Sequence, residues 1–256
     1  FPYVYAHERI ADALPRIQDY SEDSIPVLDE ENRLLGVVTA QSLIQTLDDA
    51  LSEDYARLAG LSAEEDLNET LAQSVRKRLP WLLVLLALGM IVSSVVGLFE
   101  GVVAQLTLIV CFQSLVLDMA GNVGTQWLAV TIRVLMDSET TGAQKRKLVR
   151  KEARIGLTNG AILGAASFVL IGAYLLLRAE APLMAFGVSG CIGIALVAAM
   201  LLSSVSGTVI PIFFKKIGVD PAVASGPLIT TVNDLVAVVS YYGLTWLLLI
   251  EWLRLA

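Results

Sequence analysis

Five apolar stretches, at about residues 79–103, 104–136, 155–177, 183–213 and 222–250, occupy most of the chain beyond its first third. Each is long enough to cross a hydrocarbon core of ~30 Å as a helix. In lipid every backbone N–H and C=O needs an internal partner, so segments of this kind are read as membrane-spanning helices. The second and fourth are long enough to tilt or to hold a break. Composition agrees: 55% of the residues are hydrophobic and the mean hydropathy is +0.68, against ~45–50% apolar residues in soluble domains.

Charge orients these segments. Arg76, Lys77 and Arg78 precede the first. Lys145, Arg146, Lys147, Arg150, Lys151 and Arg154 lie between the second and third, and Lys215 and Lys216 come after the fourth. Five spans put all three clusters on one side, the other side having only Arg178 and Arg254. The positive-inside rule makes the basic side cytoplasmic. The chain is therefore expected in an inner or plasma membrane, with a cytoplasmic head and its C-terminus outside. The run 145–154 is read as a topology determinant.

The head is acidic. Residues 1–70 hold 16 acids and 4 bases, a balance of −12 within an overall charge of −7. Nucleic acid and anionic lipid would be repelled, whereas cations would be attracted. Cys111 and Cys191 both fall in apolar segments, which suits a reducing side and no disulfide framework. His7 is the single histidine, so an HExxH zinc site is excluded. Because the sequence opens on Phe1 without a leader or start methionine, it is expected to continue upstream.

Within the head, Ile10, Ala13, Leu14 and Ile17 recur at helical spacing, with a kink expected at Pro15. SIPVL and RLLGVVT flank the turn DEEN as strand, turn and strand. Thr39 is placed to cap the next helix. The expected fold is mainly α: a polytopic membrane protein of five transmembrane helices, preceded by a small α/β cytosolic unit and a connecting helix. The boundaries are 1–50 for the head, 51–78 for an acidic connecting helix and 79–256 for the membrane body.

Two acids lie inside the spans. Asp234 is about 12 residues into the fifth and Asp118 about 14 residues into the second, roughly 18 and 21 Å deep at 1.5 Å per residue. A carboxylate there costs at least ~2.5–3.5 kcal/mol. Arg133 is too far along the second span to neutralise Asp118, and the spans hold no other base at mid-depth. Water, a proton or a bound cation must compensate. Asp118, Asn122, Thr125 and Gln126 share one helix face, as do Thr230, Thr231, Asp234 and Tyr241. Ser203, Ser204 and Ser206 add hydroxyls to the fourth span. An all-oxygen set suits a hard cation such as Mg²⁺, which keeps most of its waters. Plainer readings stay open: a protonated Asp118 or Asp234 bonding between helices, Asn122 and Gln126 as interhelical glue, and Gly121 and Gly124 as packing spacers.

LDMAGNVGTQ (117–126), SGTVIPIFFKKIGVDPAVASGPLITTVND (206–234) and RKRLPWLL together resemble the MgtE family of magnesium channels. IPVLDEENRLLGVVTAQSL resembles a CBS repeat. The resemblance implies a homodimer with one pore on the two-fold axis, lined by the second and fifth spans. It places the ion-selecting aspartate at Asp234 and the family's glycine–asparagine segment at Gly121, Asn122 and Gly124; Asn122, and Asp118 from its own depth and helix face, are the further candidate metal contacts. Gly121, Gly124, Thr125, Gln126, Pro227, Thr230 and Thr231 are then pore-lining. It further implies a second CBS repeat and a helical domain upstream, a plug-type connecting helix, and closure of the pore by Mg²⁺ on acidic cytosolic surfaces. Asp23, Asp48, Asp49, Glu53 and Asp54 are the candidate regulatory ligands. Ala120 and Ala237 stand where relatives often have glycine. Ser42 stands where nucleotide-holding repeats carry an acid, so nucleotide is not expected in this one.

The expected function is Mg²⁺ or other divalent-cation transport through a dimeric pore in the bilayer, with no enzymatic activity. The rivals are a proton-coupled solute carrier using Asp118 and Asp234, and a membrane-bound cation sensor without transport.

Overall fold

In the computed structural model the described residues are 3–8, 13, 17, 23–61, 68–135 and 140–254. They divide into two units, Phe1–Ala56 and Arg57–Ala256.

In the first unit strand β1 (Val4–Tyr5) pairs in parallel with β2 (Ser24–Leu28), which pairs antiparallel with β3 (Leu34–Thr39). The turn between β2 and β3 closes because the Asp29 carboxylate accepts from the backbone N–H groups of Glu31 and Arg33, at 3.0 and 2.7 Å. Asn32 takes the left-handed conformation that asparagine tolerates, at φ 61°. Helix α1 (Ala40–Leu58) starts as expected at Thr39, whose Oγ1 accepts from Ser42 N–H at 3.1 Å. Ala13 and Ile17 are buried, while Ile10, Leu14 and Pro15 of the expected kinked helix lie outside the described residues. Leu34, Leu35 and Val37 of β3 and Ile44 of α1 are exposed large apolar residues of this unit, Leu35 and Val37 sharing one face of the strand.

The connecting segment is not one helix over 51–78. Helix α1 ends at Leu58, Gly60 adopts φ 81°, and α2 begins only at Leu71 behind a Thr70–Gln73 capping box. A side chain at residue 60 would meet the Trp81 indole at 2.5 Å. Glycine is needed here for both space and conformation.

Among the described residues five helices are long and apolar enough to cross a membrane: α2 (Leu71–Leu98), α3 (Val110–Leu135, led in by a 3₁₀ turn from Thr107), α4 (Gly142–Leu177), α5 (Pro182–Lys216) and α6 (Gly226–Thr245). A π-helical stretch, Trp246–Trp252, extends α6. A short helix, Glu100–Gln105, links α2 to α3. The chain is a multi-pass membrane protein. The third span starts much earlier than its apolar stretch does, because the charged run 143–154 continues the same helix beyond the lipid-length segment.

Packing is most extensive between α4 and α5. Gly156, Gly160 and Gly164 repeat every four residues on α4 and bring the two backbones together. A methyl at 164 would sit 2.7 Å from the carbonyl oxygen of Gly193, and one at 193 would sit 2.8 Å from that of Gly164. Between lipid-solvated helices such close approach supplies the dispersion contact that holds them. Gly164→Val is expected to force α4 and α5 apart at a cost of ~1–3 kcal/mol. The readout is a lower midpoint of thermal unfolding in detergent, and an unshifted midpoint would count against the close packing.

Helix α3 packs on α5 and α6 but hardly touches α4, and α2 packs chiefly on α6 without burying any residue. The main core lies among α3, α5 and α6, around Val116, Ala120, Ile192, Leu196, Ala237 and Tyr241.

Candidate functional site

The site forms where α3 and α6 run antiparallel. Gly121 faces Thr230, with a would-be Cβ 3.1 Å from the threonine Cγ2, and the Thr125 Cγ2 lies 3.9 Å from a Cβ at Gly226. Four residues back along α3 thus match four forward along α6. One further turn brings Asp118 level with Asp234. The Tyr241 hydroxyl, donating to the Ile109 carbonyl at 2.7 Å, continues the same register toward the other end.

Asp234 is only 8 residues from the start of α6, about 12 Å, not the 12 residues expected. Pro221–Val223 forms a separate 3₁₀ turn, and Ser225 caps α6 by accepting from Leu228 N–H at 3.5 Å. The helix start is recessed, however. Gly226 lies beside Thr125, 10 residues or about 15 Å short of the α3 terminus at Leu135. Asp118 and Asp234 are therefore some 25 Å above that terminus, near mid-height of the bundle.

Asp118, Asn122 and Gln126 are exposed on α3, and Thr125 and Asp234 are partly buried beside them. Among the described residues none covers this face. Among the described residues no hydrogen bond or ion pair holds the Asp118 or Asp234 carboxylate. The hydroxyls of Thr125, Thr230 and Thr231 donate back to the carbonyls of Asn122, Gly226 and Pro227 at 2.9, 3.0 and 2.9 Å. Their oxygens then remain as acceptors. Pro227 sits in the first turn of α6, where its missing N–H leaves no helix bond unmade.

Some residues grouped by spacing separate in space. Tyr241 does not share the open face: it is fully buried and its hydroxyl is taken by Ile109. Gly121 and Gly124 are buried against α6 and line no open surface. Ser203 and Ser204 are also buried, Ser204 donating to the Leu201 carbonyl. In the head, Asp23, Asp48, Asp49 and Glu53 are exposed, and the Asp54 side chain lies outside the described residues. Among the described residues no three of His, Cys, Asp and Glu cluster as metal ligands. Ser42 Oγ accepts from the Thr39 hydroxyl at 3.0 Å, so it is engaged in the helix cap.

Sequence reasoning missed Asn233. Its side chain is fully buried behind Asp234, and its Oδ1 accepts from Ser206 Oγ of α5 at 2.5 Å. The amide fills the space left by Gly124, where a Cβ would lie 1.6 Å from Nδ2. On its other side Gly124 touches Gly207, whose Cβ would lie 2.6 Å from the Gly124 carbonyl oxygen. The signal was present as SGT in α5, GNVG in α3 and ND in α6. Nothing in spacing alone pairs them.

Leu58 packs with Leu128, Ala224 and Ile229, and Arg57 forms an ion pair with Asp220 in the loop that leads into α6. Lys215, at the end of α5, donates to the Leu135 carbonyl and so caps the end of α3.

A family model described as a divalent cation transporter, MgtE, matches residues 113–244. A CBS-domain model matches residues 1–49. The chain is 36% identical over 241 residues to a protein named magnesium transporter MgtE from Enterococcus faecalis, covering 94% of this chain and 51% of that one. The protein of the same name from Bacillus subtilis is 35% identical over 228 residues, covering 89% and 49%. That from Thermus thermophilus is 31% identical over 234 residues, covering 90% and 50%. The chain spans about half the length of the curated relatives it matches.

Proposed function

We propose that this chain, which belongs to the MgtE family of divalent cation transporters, conducts Mg²⁺ across an inner or plasma membrane. Two copies would place their uncovered α3–α6 faces around a shared axis. The observation that carries this is the pair of carboxylates, Asp118 and Asp234, level with each other near mid-height of the bundle and on a face that the described residues do not cover.

Mg²⁺ gives up its waters reluctantly. An ion that retains them would be held by outer contacts to Asp234 from both copies, with Asn122 and Asp118 as further oxygen donors. The carboxylates replace bulk solvent for a divalent charge that lipid would reject. Pro227, Thr125, Thr230, Thr231 and Gln126 offer hydroxyl, carbonyl and amide oxygens along the same path. With the basic ends cytoplasmic, an inside-negative potential draws the ion inward by about 4.6 kcal/mol per 100 mV for two charges.

The acidic head supports a regulatory role. Bound cation would relieve repulsion among its carboxylates, Asp23, Asp48, Asp49, Glu53 and Asp54 among them, and so bias the pore. The exposed apolar side chains of the head, Leu35 and Val37 on one face of β3 among them, suit a further CBS repeat packed on this one.

Flux from reconstituted vesicles tests the reading directly. Mg²⁺ entry driven by an inside-negative potential is expected, with a reduced rate when Mg²⁺ is abundant on the head side. Solute uptake that tracks a proton gradient, with no divalent flux, would replace the proposal with a carrier. Mg²⁺ binding without any flux would replace it with a sensor.

A further inference from the structure

The cytoplasmic extension of α4 has two unlike faces. Leu148, Glu152 and Gly156 are buried against the bundle, and the Glu152 carbonyl accepts from the Trp127 indole at 3.2 Å. The opposite face carries Arg146, Lys147, Arg150, Lys151 and Arg154, all exposed or half-exposed and spaced at i, i+1, i+4, i+5 and i+8. These side chains and Ile155 line a groove of about 770 Å³. Lys151 lies 3.5 Å from the Glu152 carboxylate. Among the described residues no carboxylate pairs with the other four. Five cations on two helical turns repel one another unless an anion sits among them.

The membrane-ward continuation of this face identifies the anion. Beyond Ile155 and the exposed Thr158, whose hydroxyl donates back to the Arg154 carbonyl at 2.9 Å, the stripe turns apolar and stays exposed, through Ala161, Ile162, Ala165, Phe168 and Val169. A cationic groove that leads, past one hydroxyl turned back to its own helix, into an exposed apolar strip matches a molecule with a phosphate at one end and acyl chains at the other. We propose that this face of α4 is a binding site for an anionic phospholipid of the cytoplasmic leaflet. The phosphate would be held by Arg146, Arg150 and Arg154, and a chain would lie along Ile155, Ile162 and Val169. Three guanidiniums at intervals of one turn offer forked donors suited to phosphate oxygens. Bound lipid would brace the end of α4, the helix that holds α5 through the Gly156, Gly160 and Gly164 contacts. A topology signal needs only net charge near the boundary; alignment on one face and continuity with the apolar strip go beyond that need.

The test uses the full purified chain in detergent, with lipid adducts counted by native mass spectrometry. Dioleoyl-phosphatidylglycerol is expected to bind at discrete stoichiometry and dioleoyl-phosphatidylcholine is not. The R146Q/R150Q/R154Q variant keeps Lys145, Lys147 and Lys151, and with them half of the orienting charge in this run. It should bind phosphatidylglycerol about a hundredfold more weakly, with phosphatidylcholine binding unchanged. Equal binding of the two lipids, or phosphatidylglycerol binding retained by the variant, overturns the proposal. Displacement of the lipid by millimolar inorganic phosphate also overturns it, since an open anion site would then suffice. So does variant-sensitive self-association at low salt without lipid uptake, which would place the acidic head of a second copy on the stripe.

Discussion

Asp234→Asn is expected to remove Mg²⁺ flux from reconstituted vesicles, by a hundredfold or more, while leaving the protein folded and membrane-inserted. The substitution keeps shape and volume and deletes one charge. At 4 Å and an effective dielectric of ~20, two unit charges interact by about 4 kcal/mol, and a divalent ion doubles that. Even partial loss of this attraction at mid-height leaves the hydrated ion in a low-dielectric setting without its main counter-charge. Stability should not suffer, because among the described residues no hydrogen bond or ion pair depends on the Asp234 carboxylate. A neutral amide there is also cheaper to place in the membrane than an uncompensated carboxylate. Unfolding in detergent is thus expected to be unchanged or slightly raised for the variant. The two readouts together separate a conducting role from a structural one. Wild-type flux in the asparagine variant would leave the central carboxylate without a part in conduction.

Asp118→Asn should act less strongly. Asp118 is exposed on α3, whereas Asp234 is partly buried between that face and the core. Water screens the more exposed charge further. Flux reduced several-fold, with the order of preference among Mg²⁺, Mn²⁺, Co²⁺ and Ca²⁺ altered, is the expected pattern in the same vesicle assay. A complete loss equal to that of Asp234→Asn would instead make the two acids equivalent.

The five spans were legible in the sequence because lipid imposes one dominant requirement, apolar length, and charged clusters mark its limits. The strand, turn and strand of the head were legible for a different reason: Asp29 and Asn32 perform local turn chemistry that depends on nothing distant. The extent of α4 was hidden, since arginine and lysine at 146–154 end an apolar run without ending a helix. The end of α1 was hidden too. Gly60 breaks it in a stretch that otherwise reads as helix-prone. Within the site, spacing on one helix placed Asp118, Asn122 and Gln126 on a common face, because that relation is set by 3.6 residues per turn alone. Tyr241 was misassigned by the same rule. Over 11 residues, periodicity cannot tell an open face from one that another helix covers. The cluster of Gly124, Asn233, Ser206 and Gly207 draws on three helices, and no single-segment pattern encodes which glycine receives which amide.

That cluster carries the second large effect. Gly124→Ala adds a methyl whose carbon would lie 1.6 Å from Asn233 Nδ2 and 2.9 Å from Ile229 Cγ2. Asn233 is fully buried and its Oδ1 is held by Ser206, so the amide has no free volume into which to swing. Relief must come from moving α3 away from α6, but α3 is also in backbone contact with α5 at Gly207. Overpacking of this kind costs ~1–3 kcal/mol and often more when backbone must shift. The displaced helices are the two that bear Asp118 and Asp234, so flux should fall at least tenfold while the unfolding midpoint in detergent drops. The double variant Gly124→Ala with Asn233→Ala removes the atom that the methyl strikes. It should recover much of the midpoint but not the flux, since Ser206 is then left with only the Ser203 carbonyl of its own helix and the segment bearing Asp234 loses this tie to α5. Recovery of both would mean that Asn233 merely fills space. Recovery of neither would place the steric conflict at Ile229. Wild-type stability and flux in Gly124→Ala alone would contradict the close approach of α3 and α6 on which the register of the two carboxylates rests.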